Sequence, residues 1–302
     1  MELVELGPGF AAEVRGVTLG DVVADDGVCE AVRAALDEHS VLVFRGQDVS
    51  DEVQIAFSRR FGPLEITKVG VQGHGTHLVI LGTIDGEGRV VPEDHRLALS
   101  NRANQLWHAD STFKAVPALA SVLSARIIPG QGGETEYVST RLAFERLDPA
   151  LRARLAQSFA WHDYGHSRAR IAPDLATPEE RVAAPPVCWR MAWRNPRNGR
   201  TAMYVASHAY AIAGMERAEA QALLSELIEA ATVPGSSYLH GWRRGDVVMW
   251  DNRATLHRGR PWPGRDPRLI VRTTISAQDA DGLDAMRPPP EILTAGGVER
   301  LH

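Results

Sequence analysis

The sequence predicts a mainly β fold with flanking helices, a jelly roll or barrel. Three observations predict it: many apolar stretches of strand length, Gly and Pro turns between them, and few clear amphipathic helices. An alternating parallel sheet would need a helical pattern after nearly every strand, and that alternation is missing. Residues 3 to 19 carry short apolar stretches broken by Gly7-Pro8-Gly9 and Gly16, a pattern of early strands with tight turns. From Asp25 to Glu38 the period changes, with Val28, Val32, Ala35 and Leu36 at helical spacing. Val41-Leu42-Val43-Phe44 reads as a buried strand ending at Arg45-Gly46. Ser50 caps a second helix that runs to about Phe61, where Gly62-Pro63 ends it. His77 to Ile84 is a further strand, and the polar stretch from Asp85 to Asn104 lacks periodicity and reads as a long connection of the kind that forms functional lids.

Ala118 to Ile128 is a largely apolar strand, and Pro129-Gly130-Gln131-Gly132-Gly133 turns into another at Glu134 to Val138. Thr140 to Gln157 reads as one helix whose buried face carries Leu142, Phe144, Leu147, Leu151 and Leu155. Tyr164 to Pro186 is polar and proline-rich, a second long excursion. Val187 to Trp193 and Thr201 to Ala206 bracket Asn195-Pro196-Arg197-Asn198-Gly199, a hairpin signal. Glu216 to Ala231 is an amphipathic helix, and Asp246 to Trp250 and Leu269 to Ile275 are strands around a turn-rich segment. The tail after Ala280, with prolines at 288 to 290, is expected to be loosely ordered. No composition shift, internal repeat or low-complexity block divides the chain, so a single domain over residues 1–302 is expected, with excursions near 85–104 and 164–186.

Composition removes several function classes. A net charge of -5 and a pI near 6.1 provide no basic field for gripping phosphates, so no nucleic-acid partner is expected. Cys29 and Cys188 stand far apart in no metal-like spacing, which argues against a disulfide framework or a structural zinc site. The N-terminus lacks a basic region followed by an apolar core, and no apolar run is long enough to cross a bilayer. The chain therefore reads as cytoplasmic, with no membrane partner.

The chemistry-bearing stretch is Asn104-Gln105-Leu106-Trp107-His108-Ala109-Asp110-Ser111-Thr112-Phe113. In an extended segment residues i and i+2 share a face, so the His108 imidazole and the Asp110 carboxylate can converge on one metal ion. With 11 His and 38 acidic residues, chance supplies about one such spacing, so the pair needs a partner. His257, in Trp250-Asp251-Asn252-Arg253-Ala254-Thr255-Leu256-His257, follows a strand and a turn far from the first pair. It would complete the two-His, one-carboxylate set that holds non-haem Fe(II). Arg268 and Arg272 follow eleven and fifteen residues beyond it.

These segments resemble the taurine dioxygenase and 2,4-dichlorophenoxyacetate dioxygenase family of Fe(II)/2-oxoglutarate-dependent oxygenases. The resemblance spans most of the chain, through Phe44-Arg45-Gly46-Gln47, Gln54-Ile55-Ala56-Phe57, Arg60-Phe61-Gly62, Trp107 to Ser111, Gly132-Gly133-Glu134-Thr135 and the run from Trp250 to His257. The last run and Ser207-His208-Ala209 look closer to the aryloxyalkanoate branch. The resemblance implies a distorted double-stranded β-helix, a cupin-like jelly roll, with His108, Asp110 and His257 as Fe(II) ligands. It also implies Arg268 and Thr135 on 2-oxoglutarate, and Arg272 on an anionic group of a small-molecule substrate. Asn104 and Phe113 match positions bordering the substrate, and Lys68 lies near family substrate-anion contacts. O2 and 2-oxoglutarate would be consumed, releasing succinate and CO2. The carboxylate at Asp110, vacated in related halogenating enzymes, implies hydroxylation or oxidative cleavage. The implied substrate is an aryloxyalkanoate cleaved at its ether to a phenol and a 2-oxo acid, with an alkylsulfonate or alkyl sulfate as alternative. Members of the family often self-associate, which makes a homo-oligomer an expectation, although no stretch identifies an interface.

Two readings from other classes compete. A non-catalytic binding member of the fold has no need of an intact ligand triad, and a zinc hydrolase leaves Arg268 and Thr135 without a role. Trp107 and Trp250 are expected to pack around the site, and His162, His166 and His208 are expected to be ordinary structural histidines.

Overall fold

The computed structural model describes residues 1–67 and 72–295. The chain opens with β1 (Glu2–Glu5), β2 (Ala12–Arg15), α1 (Leu19–Ala24), α2 (Asp26–His39), β3 (Val41–Phe44) and α3 (Asp51–Arg59). There follow β4 (Val79–Gly82), α4 (Arg96–Ala103), β5 (Ala118–Ile127), β6 (Thr135–Ser139), α5 (Thr140–Arg146), α6 (Pro149–Gln157), β7 (Phe159–His162), α7 (Tyr164–Ala169) and α8 (Pro178–Ala183). The remainder carries β8 (Val187–Arg190), β9 (Ala192–Arg194), β10 (Thr201–Met203), β11 (Ala209–Ile212), α9 (Arg217–Ala231), β12 (Ser237–His240), β13 (Val247–Asp251), β14 (Thr255–Gly259), β15 (Leu269–Ser276) and α10 (Pro290–Ala295).

Seven strands in the order β1-β2-β3-β13-β5-β15-β4 form the larger sheet, and β12-β6-β14 form a smaller one packed against it. The strands at the centre of the larger sheet are apolar on both faces because both faces are covered. Leu42, Phe44, Val247 and Met249 point into a core shared with α1, α2 and α3. Their alternate neighbours Val41, Val43, Val248 and Trp250 point the other way, into the layer between the sheets, where they meet Tyr137 and Tyr238. A third core packs α5, α6 and α9 against Leu256, Val138 and the β9–β10 hairpin. Burying each of these large side chains contributes about 1.5–3 kcal/mol.

Local chemistry sets the helix boundaries. Asp25 and Ser50 accept the Val28 and Val53 amides to start α2 and α3. Buried Gln54 on α3 then ties that helix to the sheet, donating to the Val122 and Val271 carbonyls and accepting from Ser124.

Five expectations are corrected. Asp85 to Asn104 is not structureless, since it contains α4, whose start is capped by the His95 side chain. Thr140 to Gln157 is two helices, because Pro149 has no amide to continue α5; it sits in the first turn of α6, which Asp148 caps. The excursion from 164 to 186 folds into α7 and α8, capped by Asp163 and by a Thr177–Glu180 capping box. The start of the tail after Ala280 packs, with Leu283 and Met286 buried in the core that α2 also enters, while residues 296–302 lie outside the described residues. Finally, His108 to Asp110 is not a strand: His108 makes an isolated bridge and Asp110 enters a turn that continues through left-handed Ser111.

Candidate metal centre and adjoining cavities

The turn after His108 does what a strand was expected to do. His108 and His257 of β14 exchange backbone hydrogen bonds, with N–H to O distances of 3.0 and 2.8 Å, which sets the two imidazoles side by side. The turn then brings the Asp110 carboxylate beneath them. One ligating atom from each of the three buried residues lies within 4.8 Å of the others. Nε2 of His108 is 4.0 Å from Asp110 Oδ1, and Nε2 of His257 is 3.8 Å from Oδ2. His108 Nδ1 is 2.7 Å from the Leu106 carbonyl, so the ring proton sits there and Nε2 keeps its lone pair for a metal.

Residues around Asp110 orient its carboxylate. Its amide donates to Asn252 Oδ1 at 3.0 Å, Ser121 Oγ donates to its Oδ2 at 2.7 Å, and Asn252 Nδ2 donates to Ser121 Oγ at 2.9 Å. Trp250 Nε1 steadies Asn252 from the other side at 2.9 Å. Arg272 Nη1 donates to Asp110 Oδ1. Burial alone would raise the Asp110 carboxyl, but the Arg272 guanidinium, with the Ser121 hydroxyl, holds it well below the usual range. Burial pushes His108 down and His257 well down, against the pull of Asp110, and His108 depresses His257 further. Two neutral imidazoles and one ionised carboxylate, buried and convergent, are a donor set that fits Fe(II).

Two cavities meet at the triad. The smaller, about 40 Å3, is lined by Thr135, Trp250, His257, Trp262, Arg268 and Arg272 among others. Arg268 is 6% exposed, and its guanidinium lies over the Trp262 ring at 4.6 Å and donates to the Gly133 carbonyl at 3.3 Å. Gly133 holds a left-handed φ of 74°, and a Cβ there would meet Arg268 Nε at 3.3 Å. That Nε is itself buried without a hydrogen-bond partner among the described residues. Burial lowers the Arg268 pKa to about 10, so the guanidinium that lines the cavity remains charged at neutral pH with one donor unsatisfied. Thr135 Oγ accepts from Trp242 Nε1 at 3.0 Å, which leaves its own O–H to donate. The orphaned guanidinium donor and this free hydroxyl fit the carboxylate of 2-oxoglutarate.

The larger cavity, about 110 Å3, lies on the other side of His108 and Asp110. Its walls include Ile66, Val79, Leu81, Phe113 and Tyr164, with Asn104, Arg168, His208 and Arg272 as polar members. Asn104, His108 and Arg272 border both cavities. The expected residues His108, Asp110, His257, Thr135, Arg268, Arg272, Asn104 and Phe113 therefore meet in one place, while Lys68 lies outside the described residues. His208, expected to be merely structural, lines the larger cavity with its ring 4.8 Å from that of Phe113, and burial pushes its pKa well down. Sequence reasoning also missed Ser121 and Asn252. Asn252 stood within a quoted motif, but a serine in an apolar strand carries no local signal.

The profile of the family described as "Taurine catabolism dioxygenase TauD, TfdA family" matches residues 2–274. An alpha-ketoglutarate-dependent 2,4-dichlorophenoxyacetate dioxygenase of Cupriavidus pinatubonensis is 38% identical over 274 residues, covering 89% of this chain and 95% of that protein. An (S)-phenoxypropionate/alpha-ketoglutarate-dioxygenase of Sphingobium herbicidovorans is 34% identical over 285 residues, covering 92% and 96%. The crystal structure of AAD-2 in complex with Mn(II) and N-oxalylglycine superposes with a TM-score of 0.85 at 34% identity, covering 92% of this chain and 98% of that one. Taken with a buried His-Asp-His cluster beside a buried arginine, these matches place the chain in the TauD/TfdA family of 2-oxoglutarate-dependent dioxygenases.

Proposed function

We propose that residues 1–302 form one catalytic domain, a distorted double-stranded β-helix, that oxidises an aryloxyalkanoate at the carbon beside its ether oxygen. The product hemiacetal collapses to a phenol and a 2-oxo acid. The observation that carries the reading is the convergence of His108, Asp110 and His257 beside the buried, orphaned Nε of Arg268. In this reading His108, Asp110 and His257 hold Fe(II), and Arg268 with Thr135 holds 2-oxoglutarate. Fe(II), 2-oxoglutarate and O2 together supply the oxidising power that hydroxylates a C–H bond, releasing succinate and CO2.

The chain's own residues do the positioning. Ser121 and Asn252 keep the Asp110 carboxylate turned toward the imidazoles, and burial keeps those imidazoles unprotonated and able to ligate. Arg268 offers a planar fork of donors to the distal carboxylate of the co-substrate. Arg272, at the wall between the cavities, meets the carboxylate of the aryloxy acid, whose ring lies against Phe113 and Asn104. The apolar walls exclude water from the bond being oxidised.

The test is a substrate panel of aryloxyacids, alkylsulfonates and alkyl sulfates with purified protein, Fe(II), ascorbate and O2. Succinate release coupled to phenol formation is expected for aryloxyacids. No succinate from any member sinks the dioxygenase assignment of the site, and turnover confined to sulfonates or sulfates moves the substrate class. Asp110→Ala is expected to abolish succinate release, and full turnover by that variant removes Asp110 from the ligand set.

A further inference from the structure

Among the described residues three Lys or Arg side chains line the larger cavity: Lys114, Arg168 and Arg272. Lys114 is paired with Glu65, and Arg272 with Asp110. Arg168 differs. No carboxylate of the described residues lies within ion-pair distance of it, and its Nε is buried without a hydrogen-bond partner. Its guanidinium carbon rests 4.7 Å from the centre of the Tyr164 ring, its neighbour one turn back on α7. Stacking on Tyr164 is a sufficient reason for the side chain to lie flat. It uses only the face of the guanidinium, however, and leaves Nε without an acceptor. A buried donor without an acceptor costs free energy that a bound anion would recover.

The aromatic surroundings give that anion a direction. From the metal ligand His108 the rings run to His208 at 6.3 Å, then to Phe113 at 4.8 Å, then to Tyr164 at 5.0 Å, and Arg168 closes the row. An aryl ring laid on Phe113 and Tyr164, with its side-chain carboxylate at Arg272, points its remote substituents toward Arg168. We propose that Arg168 is a second anion anchor, so that this cavity prefers aryloxyalkanoates whose ring carries an additional acidic group, such as a ring carboxylate. This specificity rests on the aryloxyalkanoate reading above and names the substrate class more narrowly.

The test measures binding separately from turnover. Calorimetric affinities of phenoxyacetate and of its 3- and 4-carboxy derivatives are measured in the presence of Mn(II) and N-oxalylglycine, whether or not the latter binds. For the native protein at least one carboxy derivative is expected to bind ten times or more tighter than phenoxyacetate. Arg168→Met is expected to cut that preference below threefold, and Arg168→Lys to retain part of it. An unchanged melting temperature verifies that α7 is intact in each variant. A native protein with no preference for the diacids overturns the proposal, even if a variant fails to fold, and so does a preference that survives Arg168→Met. Absence of succinate from phenoxyacetate in a parallel assay would instead count against the aryloxyalkanoate reading, leaving the binding result to stand or fall by itself.

Discussion

Arg268 and Arg272 both line the smaller cavity, yet their surroundings differ. Arg268 has an orphaned Nε and a ring beneath it, whereas Arg272 is engaged by Asp110 and also borders the larger cavity. Arg268→Ala is therefore expected to raise the KM for 2-oxoglutarate by about tenfold to a hundredfold, the range lost with one charged hydrogen-bonding partner, and to leave aryloxyacid saturation little changed. Arg272→Ala should do the opposite, and the reverse pattern in steady-state kinetics would exchange the two roles. His162 makes a separate prediction. It is fully buried, neither ring nitrogen has a hydrogen-bond partner among the described residues, and burial lowers its pKa to about 3. The unfolded chain, with an ordinary histidine pKa near 6.5, binds more protons between those values, so stability falls as pH drops through about 6.5 toward 3. In denaturant titrations at pH 7 and pH 4.5, His162→Phe should lose less stability on acidification than the native protein. An equal loss in both removes His162 from the acid sensitivity. At this scale the ligands and arginines were legible because their residue types carry chemistry at long spacings. Ser121, Asn252 and Arg168 were not, since serine, asparagine and arginine act at the site only through where the fold puts them.

Elements set the tolerances of the site. Strand β4 runs beside β15 with Gly82 opposite Leu269, and a Cβ at Gly82 would stand 1.9 Å from the Arg268 carbonyl oxygen. That oxygen accepts the Thr83 amide at 3.1 Å, so it cannot move away without breaking the ladder. Gly82→Ala is expected to destabilise the protein by about 1–3 kcal/mol and to raise the KM for 2-oxoglutarate, because the displaced backbone carries Arg268. A variant with native melting temperature and native KM would show that β4 can shift freely. Most strands of the larger sheet were readable as short apolar runs between turns, whereas β7, β11 and β12, at four residues each, were not; α2 and α9 were readable as helical periods and α3 from its Ser50 cap. The helices α4, α7 and α8 were not, because each has eight residues or fewer and too few apolar positions for a period to emerge. Pro149 could have been read as a break, since a proline within a helical pattern ends the helix before it.

Across the whole molecule, distant segments are joined by a buried charge cluster. Arg253 donates to Asp251 at 2.8 Å and to Asp37 of α2 at 3.1 Å, and Asp37 also accepts from Asn195 and Arg197 at 2.7 Å each. Helix α2, the β13–β14 turn and the β9–β10 hairpin thus share one knot. Arg253→Leu leaves the buried Asp251 carboxylate without its cation and Asp37 with Arg197 alone, and breaking a buried pair in this way costs about 3–5 kcal/mol. A fall in melting temperature on the order of 10 °C is expected by calorimetry. A change of less than a degree would mean that Asp37 and Asp251 find other partners.

The paired backbone hydrogen bonds between His108 and His257 have a consequence for how the site breathes. The two imidazoles ride on one rung that joins segments 108 and 257, but β14 is also paired with β6, so opening the rung frees His108 while His257 stays in its strand. Their amides should exchange with solvent deuterium at a common rate, set by the opening of that rung, and both should slow together when a metal ion bridges the rings. The centre then behaves as a latch whose moving part is the His108 turn and whose fixed part is His257 on its sheet.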